Sequence, residues 1–282
     1  MSFNSVAVIG AGQMGQGIAQ SFATAGYKVI LNDIESLAID RALANIEASL
    51  NKLSDKNQLE EAPETILSRI VGSSEISALI TAQLIVEAAT ESEALKKKIF
   101  TQLDKLCPPS TILATNTSSI SITRIAAATK RPDKVIGLHF MNPVPLMQLI
   151  EVIRGLKTSE LTYHAISGLA DKLNKVAVTS LDRPGFIVNR ILMPMINEAI
   201  FALYEGVANA EDIDEAMKLG AAHPMGPLAL ADLIGLDTCL SIMQVLHQGF
   251  ADSKYRPCPL LVQLVDAGQL GRKTGQGFHN YN

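Results

Sequence analysis

Two residues of this sequence could together remove a proton from a small molecule. His139 ends the apolar run Val135–Leu138, and Glu151 interrupts a second apolar run, Leu149–Ile153. Histidine titrates near neutral pH, so it suits removal of a hydroxyl proton when an alcohol is oxidised. A carboxylate within an apolar strand needs a partner to offset its desolvation. Pairing with His139 would orient the imidazole and stabilise its protonated form.

The spacing of these two residues leaves the pairing open. Asn142–Pro145 is too short for a crossover helix, so the strands on either side are expected to be antiparallel. A tight hairpin through these four residues predicts Gln148, not Glu151, opposite His139. His139 could then be a structural histidine bonded to a backbone carbonyl, and Glu151 an edge-strand carboxylate that points to water.

Two further polar residues could bind the reacting oxygen. Ser118 follows the predicted strand Thr111–Ala114, where its hydroxyl either donates to a ligand or caps the next helix. Asn189 is a poor helix former near the start of a strongly apolar helix, Phe186–Tyr204. It could cap that helix or reach across a domain interface to the substrate.

The first residues predict a dinucleotide site. Directly after the strand Val6–Ile9, the chain reads Gly10-Ala11-Gly12-Gln13-Met14-Gly15. Gly10 permits a tight turn, Gly12 lets a pyrophosphate approach the backbone, and Gly15 lets helix and strand pack closely. Asp33 ends the next strand about twenty residues on, where a carboxylate binds the adenosine ribose and repels a 2′-phosphate. The motif therefore favours NAD over NADP.

Alternating strands and helices position these residues. The pattern predicts βαβ units in a doubly wound, mostly parallel sheet of the Rossmann type. In such sheets ligands bind at the carboxyl ends of the strands, where His139 would lie. Strands are predicted at Val6–Ile9, Val29–Asn32, Leu84–Glu87, Thr111–Ala114, Val135–His139, Leu149–Ile153 and Val176–Thr179.

A helical hairpin is expected to project from this sheet. Apolar residues spaced three and four apart predict a long amphipathic helix, namely Ile39, Leu43, Ile46, Leu50 and Leu53. Pro63 is typical of the first position of a second helix. Ser49, Lys52 and Lys56 share one face, which is either a solvated surface or a contact for a polyanionic ligand tail such as the CoA phosphates.

The pattern changes at Asp182–Gly185, which is typical of a linker. We therefore predict a nucleotide-binding domain over residues 1–182 and an all-α domain over residues 183–282. The first helix of the second domain, Phe186–Tyr204, is apolar nearly all round. It should be buried within its domain or in a subunit interface.

Composition narrows the class of protein. The formal net charge is −4, and no run of Lys or Arg is long enough for a nucleic-acid footprint. No segment approaches 18 consecutive apolar residues, so no membrane span is expected. Cys107, Cys239 and Cys258 are far apart, which argues against a zinc site and a disulfide framework. We expect a cytoplasmic protein without a signal peptide or metal.

The chain resembles the 3-hydroxyacyl-CoA dehydrogenase family over nearly its whole length. Its length resembles the stand-alone short-chain members, which interconvert 3-hydroxybutyryl-CoA and acetoacetyl-CoA. The segments that carry the resemblance are Val8–Gly15, Asn116–Ser119, His139–Pro145, Asp182–Arg190 and Gly271–Phe278.

This resemblance implies a role for each matching residue. His139 would be the general base, paired with Glu151, while Ser118 and Asn189 would bind the reacting oxygen. Ser49, Lys56 and Ser118 would contact the acyl-CoA, and the helical domain would form a homodimer. The NAD site would include Asp33, Glu91, Lys96, Ser118, Asn142 and Lys273 in addition to the glycine motif.

Two alternatives remain at this point. A dehydrogenase of a free hydroxy acid, of the L-gulonate or carnitine type, would share the NAD motif and the catalytic pair but have no use for Ser49 and Lys56. A non-catalytic, crystallin-like protein would bind NAD without needing His139 and Glu151.

Overall fold

A computed structural model describes residues 3–281 of the chain. Its first part is built on one eight-stranded sheet with the order β3-β2-β1-β4-β5-β6-β7-β8. Neighbouring strands are parallel except β6 and β7, which are antiparallel, while β8 is parallel to β7. The strands are β1 Ser5–Ile9, β2 Lys28–Asn32, β3 Ile70–Ser73, β4 Leu84–Glu87, β5 Ile112–Thr115, β6 Val135–Phe140, β7 Leu149–Arg154 and β8 Val176–Leu181.

This architecture confirms the predicted doubly wound, mostly parallel sheet. The predicted strands are present, with ends that shift by one or two residues. The strand β3 was missed. It has only four residues at the sheet edge, with Val71 62 % exposed and Gly72 inside it, so it lacks the apolar run that marks a strand. A Cβ on Gly72 would lie 2.4 Å from Ile39, which explains the glycine there.

Six helices belong to this first part. One hydrophobic core joins one face of the sheet to α1, α2 and α6, and it includes Phe22, Ile46, Phe140 and Ile166. The helices are α1 Gln13–Thr24, α2 Ser36–Asp55, α3 Pro63–Leu67, α4 Glu93–Leu106, α5 Ile122–Ala126 and α6 Glu160–Lys172.

The helix α2 is the long amphipathic helix that the spacing predicted. Ile39, Ile46 and Leu50 are buried in the core shared with α1 and the sheet. The helix α3 begins at Pro63 as predicted but has only five residues. The hairpin is therefore anchored by the apolar side of α2, and the other side of α2 carries exposed polar residues.

Contacts divide the chain after Arg183 into two compact units. The sequence placed this boundary between residues 182 and 183. The second unit is all-α, with a core that includes Met193, Ile200, Leu236 and Leu246. Its helices are α7 Val188–Tyr204, α8 Ala210–Gly220, α9 Pro227–Ile234, α10 Leu236–Phe250 and α11 Pro259–Asp266.

The apolar helix α7 is buried on one side only. Met193, Ile196 and Ile200 lie in the core of the second unit, whereas Ile191 is 66 % exposed. The helix starts at Val188, two residues after its predicted start at Phe186.

Within residues 3–281, no single helix has both the length and the apolar character needed to cross a membrane. One pair, α9 with α10, reaches that length and composition when taken together, but it is bent by 99° at its break.

Candidate active site

A buried imidazole–carboxylate pair lies between β6 and β7. The strand register places His139 directly opposite Glu151, and 2.8 Å separates the His139 Nδ1 atom from the Glu151 Oε2 atom. His139 is 5 % exposed and Glu151 1 %. The expected tight hairpin, with Gln148 opposite His139, is wrong. So is the placement of Glu151 on an edge strand facing water, because β8 covers the other side of β7.

The register differs because the connection between β6 and β7 spans residues 141–148. A buried lysine from the start of β8 holds this loop: Lys175 Nζ donates to the Val144 and Met147 carbonyls, at 2.7 Å each. Burial lowers the pKa of Lys175 below its ordinary value. The loop also packs on α1, where a Cβ on Gly17 would lie 2.9 Å from Val144. Sequence spacing gives no sign of this long-range anchor.

Ser118 contacts the other nitrogen of the same imidazole. Its Oγ lies 3.0 Å from His139 Nε2. The helix α5 is capped instead by Ser121, whose Oγ accepts from Arg124 N, so the capping explanation for Ser118 is wrong. A carboxylate can only accept, so Glu151 places the proton of a neutral His139 on Nδ1 and leaves Nε2 as an acceptor. The array can therefore remove a proton at Nε2.

A cluster around the buried Glu87, which the sequence analysis did not identify, supports the loop that carries Ser118. Glu87 ends β4 with 0 % exposure and pairs with Lys96 of α4, which is 1 % exposed, at 2.7 Å. Glu91 accepts hydrogen bonds from the backbone N–H groups of Ser118 and Ser119. A glutamate at the end of an otherwise apolar strand could have indicated Glu87, as a glutamate within an apolar run indicated Glu151.

The glycine motif forms a cradle for a dinucleotide. Gly10 has φ +99°, and a Cβ there would lie 2.6 Å from the Ala88 carbonyl oxygen. A Cβ on Gly15 would lie 1.7 Å from the Gly10 carbonyl oxygen, whereas one on Gly12 would have nothing within 4 Å. Two glycines are therefore required by the fold itself, and the third leaves open space in front of α1. Met14 is partly buried and packs on the core.

The N-terminus of α1 suits an anion. Its first turn contains no acidic residue, and Gly12 at the N-cap provides no capping side chain, so backbone N–H groups and the helix dipole face the open space. The space is part of a cavity of about 880 Å³ lined by Gly12, Gln13, Asp33 and neighbouring residues. Gln13 Nε2 donates to Asn142 Oδ1 at 3.2 Å, which brings two of the predicted cofactor residues together.

Asp33 is held rigidly at the end of β2. Its Oδ2 accepts from Ala11 N at 2.8 Å, and its Oδ1 accepts from Glu35 N at 3.1 Å. The carboxylate thus ties the glycine loop to the turn before α2 and lines the same cavity. These residues fit a nicotinamide cofactor with a free ribose 2′-hydroxyl.

The remaining predicted residues lie in three places. Ser49 is half-buried on α2, and Lys56 is exposed at its C-cap. In the second unit, Lys273 Nζ pairs with the Asp237 carboxylate at 2.5 and 2.6 Å. Asn189 is the second residue of α7 and is therefore not its N-cap. The contacts of Asn189 and Lys273 with substrate and cofactor stay predictions.

Thiol and metal chemistry have no support in the described residues. All three cysteines are free and buried. Burial raises the pKa of each thiol, that of Cys239 to about 12, so none is a ready nucleophile. Among residues 3–281, no group of three or more His, Cys, Asp or Glu side chains could hold a metal ion.

The glycine cradle, the fixed Asp33 and the His139–Glu151 pair define a dinucleotide-dependent dehydrogenase. The model of the 3-hydroxyacyl-CoA dehydrogenase NAD-binding domain matches residues 5–183, and the model of the C-terminal domain of that family matches residues 185–281. The chain belongs to the 3-hydroxyacyl-CoA dehydrogenase family, and its cofactor is NAD.

Individual relatives agree with this assignment. The chain is 58 % identical to 3-hydroxybutyryl-CoA dehydrogenase of Bradyrhizobium diazoefficiens over 98 % of this chain and 94 % of the relative. It is 54 % identical to a probable 3-hydroxybutyryl-CoA dehydrogenase of Bacillus subtilis over 100 % and 98 % of the two chains. The crystal structure of (S)-3-hydroxybutyryl-CoA dehydrogenase from Ralstonia eutropha superposes with a TM-score of 0.97 at 51 % identity and covers all of both chains.

Asp33 should set the preference between NAD and NADP. Asp33→Asn keeps one acceptor oxygen for the backbone but removes the charge that repels a 2′-phosphate, a repulsion of a few kcal/mol at an effective dielectric constant near 20. We expect the ratio of kcat/KM for NAD to that for NADP to fall about tenfold or more. Glu64→Gln, at an exposed position in the first turn of α3 that does not line this cavity, is the control and should leave the ratio unchanged. An unaltered ratio in Asp33→Asn would exclude this role for the carboxylate.

Proposed function

We propose that this protein interconverts (3S)-3-hydroxybutyryl-CoA and acetoacetyl-CoA with NAD(H). The observation that carries the proposal is the hydrogen-bonded array Ser118–His139–Glu151 at the carboxyl end of β6. The relatives that are 54–58 % identical and named 3-hydroxybutyryl-CoA dehydrogenase support the choice of substrate. The catalytic array is the basis for the reaction that we propose, and the relatives are the basis for the short acyl chain of the substrate.

His139 is assigned as the general base. In the oxidative direction its Nε2 takes the proton of the C3 hydroxyl, and in the reductive direction it returns that proton. Glu151 holds Nδ1–H and stabilises the imidazolium that forms. Both groups are buried, so they are less screened than a pair in bulk water. Bound NAD supplies the acceptor for the hydride that leaves C3.

Ser118 is assigned as the hydroxyl that binds the reacting oxygen. Its Oγ already lies within hydrogen-bond distance of Nε2, so an oxygen bound beside it is near the base. The resemblance assigns the same task to Asn189. A donor at this oxygen stabilises the negative charge that develops when the ketone is reduced.

The residues that would hold NAD lie in two groups. The glycine cradle and the N-terminus of α1 suit the pyrophosphate, and Asp33 suits the adenosine ribose. Asn142, held by Gln13, and Glu91, beside Ser118, lie nearer to His139 along the strand ends. This order suits a cofactor bound with its reactive end toward the imidazole.

CoA is assigned to the side of α2 that carries Ser49 and Lys56. A groove of about 520 Å³ lies beside the end of this helix, lined by Leu53, Gln58 and Lys172 among others. Lys172 is exposed at the C-terminal end of α6, so cationic and amide groups surround the groove. Such a surface suits the phosphates of a CoA tail.

We also propose a homodimer in the cytoplasm. The exposed Ile191 of α7 supports association through the helical unit, because large apolar side chains exposed beside a buried face are typical of interfaces. Three free, buried cysteines are compatible with a reducing compartment.

The reaction is tested by NADH oxidation with acetoacetyl-CoA beside free ketoacids. We expect turnover of the CoA thioester, and a decrease in kcat of about 10²–10⁴ in His139→Gln because a general base is lost. Affinity for NADH should change little. His164→Gln, an exposed histidine on α6, is the matched control. Near-normal turnover in His139→Gln would falsify the assignment of His139 as the general base. Turnover of free ketoacids alone would exclude the CoA substrate. NAD binding by the wild type without turnover of any substrate would favour a structural role.

The CoA contact is tested by Lys56→Gln. An exposed ion pair contributes about 0.2–1 kcal/mol, so KM for acetoacetyl-CoA should rise about two- to fivefold with kcat unchanged. KM for the acetoacetyl thioester of N-acetylcysteamine, which lacks the nucleotide, should not change. Lys105→Gln at the exposed end of α4 is the control. An equal increase in KM for both thioesters would contradict a phosphate contact.

The dimer is tested by size-exclusion chromatography with light scattering. The mass should be about twice the 30.2 kDa of one chain. Ile191→Glu should shift it toward the monomer, whereas Leu156→Glu, at an exposed position of the first unit, should not. A wild-type monomer at micromolar concentration would exclude this assembly.

A further inference from the structure

We propose that Glu87 is a positioning residue for Ser118, acting through the loop of residues 115–119. This inference rests on the proposed role of Ser118 beside His139 and extends it to residues outside the array. Glu87 is the last residue of β4 and has 0 % exposure. A carboxylate so deeply buried needs strong partners. Its Oε2 accepts from Thr115 at the start of this loop, and its Oε1 accepts from Lys96 Nζ and from Ala89 N.

The first connection passes through Thr115, the last residue of β5. Glu87 Oε2 accepts a hydrogen bond from Thr115 Oγ1 at 2.7 Å. Thr115 Oγ1 in turn accepts from the backbone N–H of Thr117 at 3.3 Å. The carboxylate thereby fixes Thr115, the residue at which the chain leaves the sheet, three residues before Ser118.

The second connection passes through Lys96 and Glu91. Glu87 Oε1 accepts from Lys96 Nζ at 2.7 Å, and 3.4 Å separates Lys96 Nζ from Glu91 Oε2. The other oxygen of Glu91 accepts from Ser118 N at 3.0 Å and from Ser119 N at 3.2 Å. The two connections therefore converge on one short stretch of backbone.

The ammonium group of Lys96 has an acceptor within this cluster for each of its three donors. An ammonium has three donors, and Lys96 Nζ has three acceptors within 3.4 Å: Glu87 Oε1, the Ala89 carbonyl oxygen and Glu91 Oε2. With 1 % exposure, the group is enclosed by these partners. Lys96 therefore holds Glu91, which accepts from the loop that carries Ser118.

The position of Ser118 is sensitive to this support. Its Oγ must stay near His139 Nε2, and a displacement of about 1 Å can lower a rate about a hundredfold. Loss of one hydrogen bond to a buried carboxylate leaves that group under-satisfied and lets the loop move. The rate should therefore respond to changes at Thr115 although this side chain makes no contact with His139 in the described hydrogen bonds.

The test is a double-mutant cycle between Thr115→Val and Ser118→Ala. Thr115→Val keeps the shape and removes the hydroxyl, so we expect kcat with acetoacetyl-CoA to fall about three- to tenfold. In the Ser118→Ala background Thr115→Val should lower kcat less than about twofold, because the Ser118 hydroxyl that Thr115 helps to position is already absent. Thr115→Ser should restore kcat to within about twofold of wild type.

A matched control separates positioning from general stability. Thr111→Val is the same substitution at a buried residue just before the same strand, where Oγ1 donates to the Ala82 carbonyl far from the array. It should lower Tm as Thr115→Val does but leave kcat within about twofold.

The inference would be overturned if Thr115→Val lowered kcat by the same factor with Ser118 present and with Ser118→Ala. It would also be overturned if Thr115→Ser were as slow as Thr115→Val, or if Thr111→Val lost as much kcat as Thr115→Val. If the wild type is active and Ser118→Ala has the same kcat, the proposed role of Ser118 is wrong, and the inference that rests on it is wrong as well. An inactive wild type would count against the proposed function itself.

Discussion

The pairing of β6 with β7 is the constraint on which the candidate active site depends. In an antiparallel pair, directly opposite residues have Cα atoms about 4.5–5.5 Å apart, so their side chains on one face can meet. The observed register brings His139 and Glu151 into this relation, and a shift of one residue would turn one of them to the other face of the sheet. Both groups are buried, and burying either one without the other would cost desolvation free energy. The fold therefore favours the arrangement in which they are paired.

That register is fixed from outside the two strands. Lys175 holds two carbonyls of the 141–148 loop, and Val144 packs where Gly17 leaves room on α1. The same loop carries Asn142, which accepts from Gln13 at the start of α1. The loop therefore links the strand that carries His139 to the helix proposed to bind the pyrophosphate, and one anchored segment positions two parts of the candidate site.

Three carboxylates have different tasks along the edge of the sheet that carries His139. Glu151 orients the imidazole, Glu87 supports the loop that carries Ser118, and Asp33 fastens the glycine loop to the next turn. Each accepts hydrogen bonds from groups that would otherwise move independently. Glu87 ends β4 and Asp33 follows β2, while Glu151 lies opposite His139 at the same edge of the sheet, where the loops that bind ligands gather in open α/β sheets.

Much of this protein was determined by local sequence. The glycine motif, the fold class and the amphipathic helix α2 follow from spacing alone, since each depends on contacts between residues near in the chain or on a repeating pattern. His139, Glu151 and Ser118 were identifiable as unusual residue types at strand ends. What the sequence could not decide was which of them meet. That depends on the length of a loop held by Lys175, on the sheet order that brings the end of β5 beside β6, and on a buried lysine that joins Glu87 to Glu91. These are contacts between distant parts of the chain, and only the folded structure brings such groups within hydrogen-bond distance.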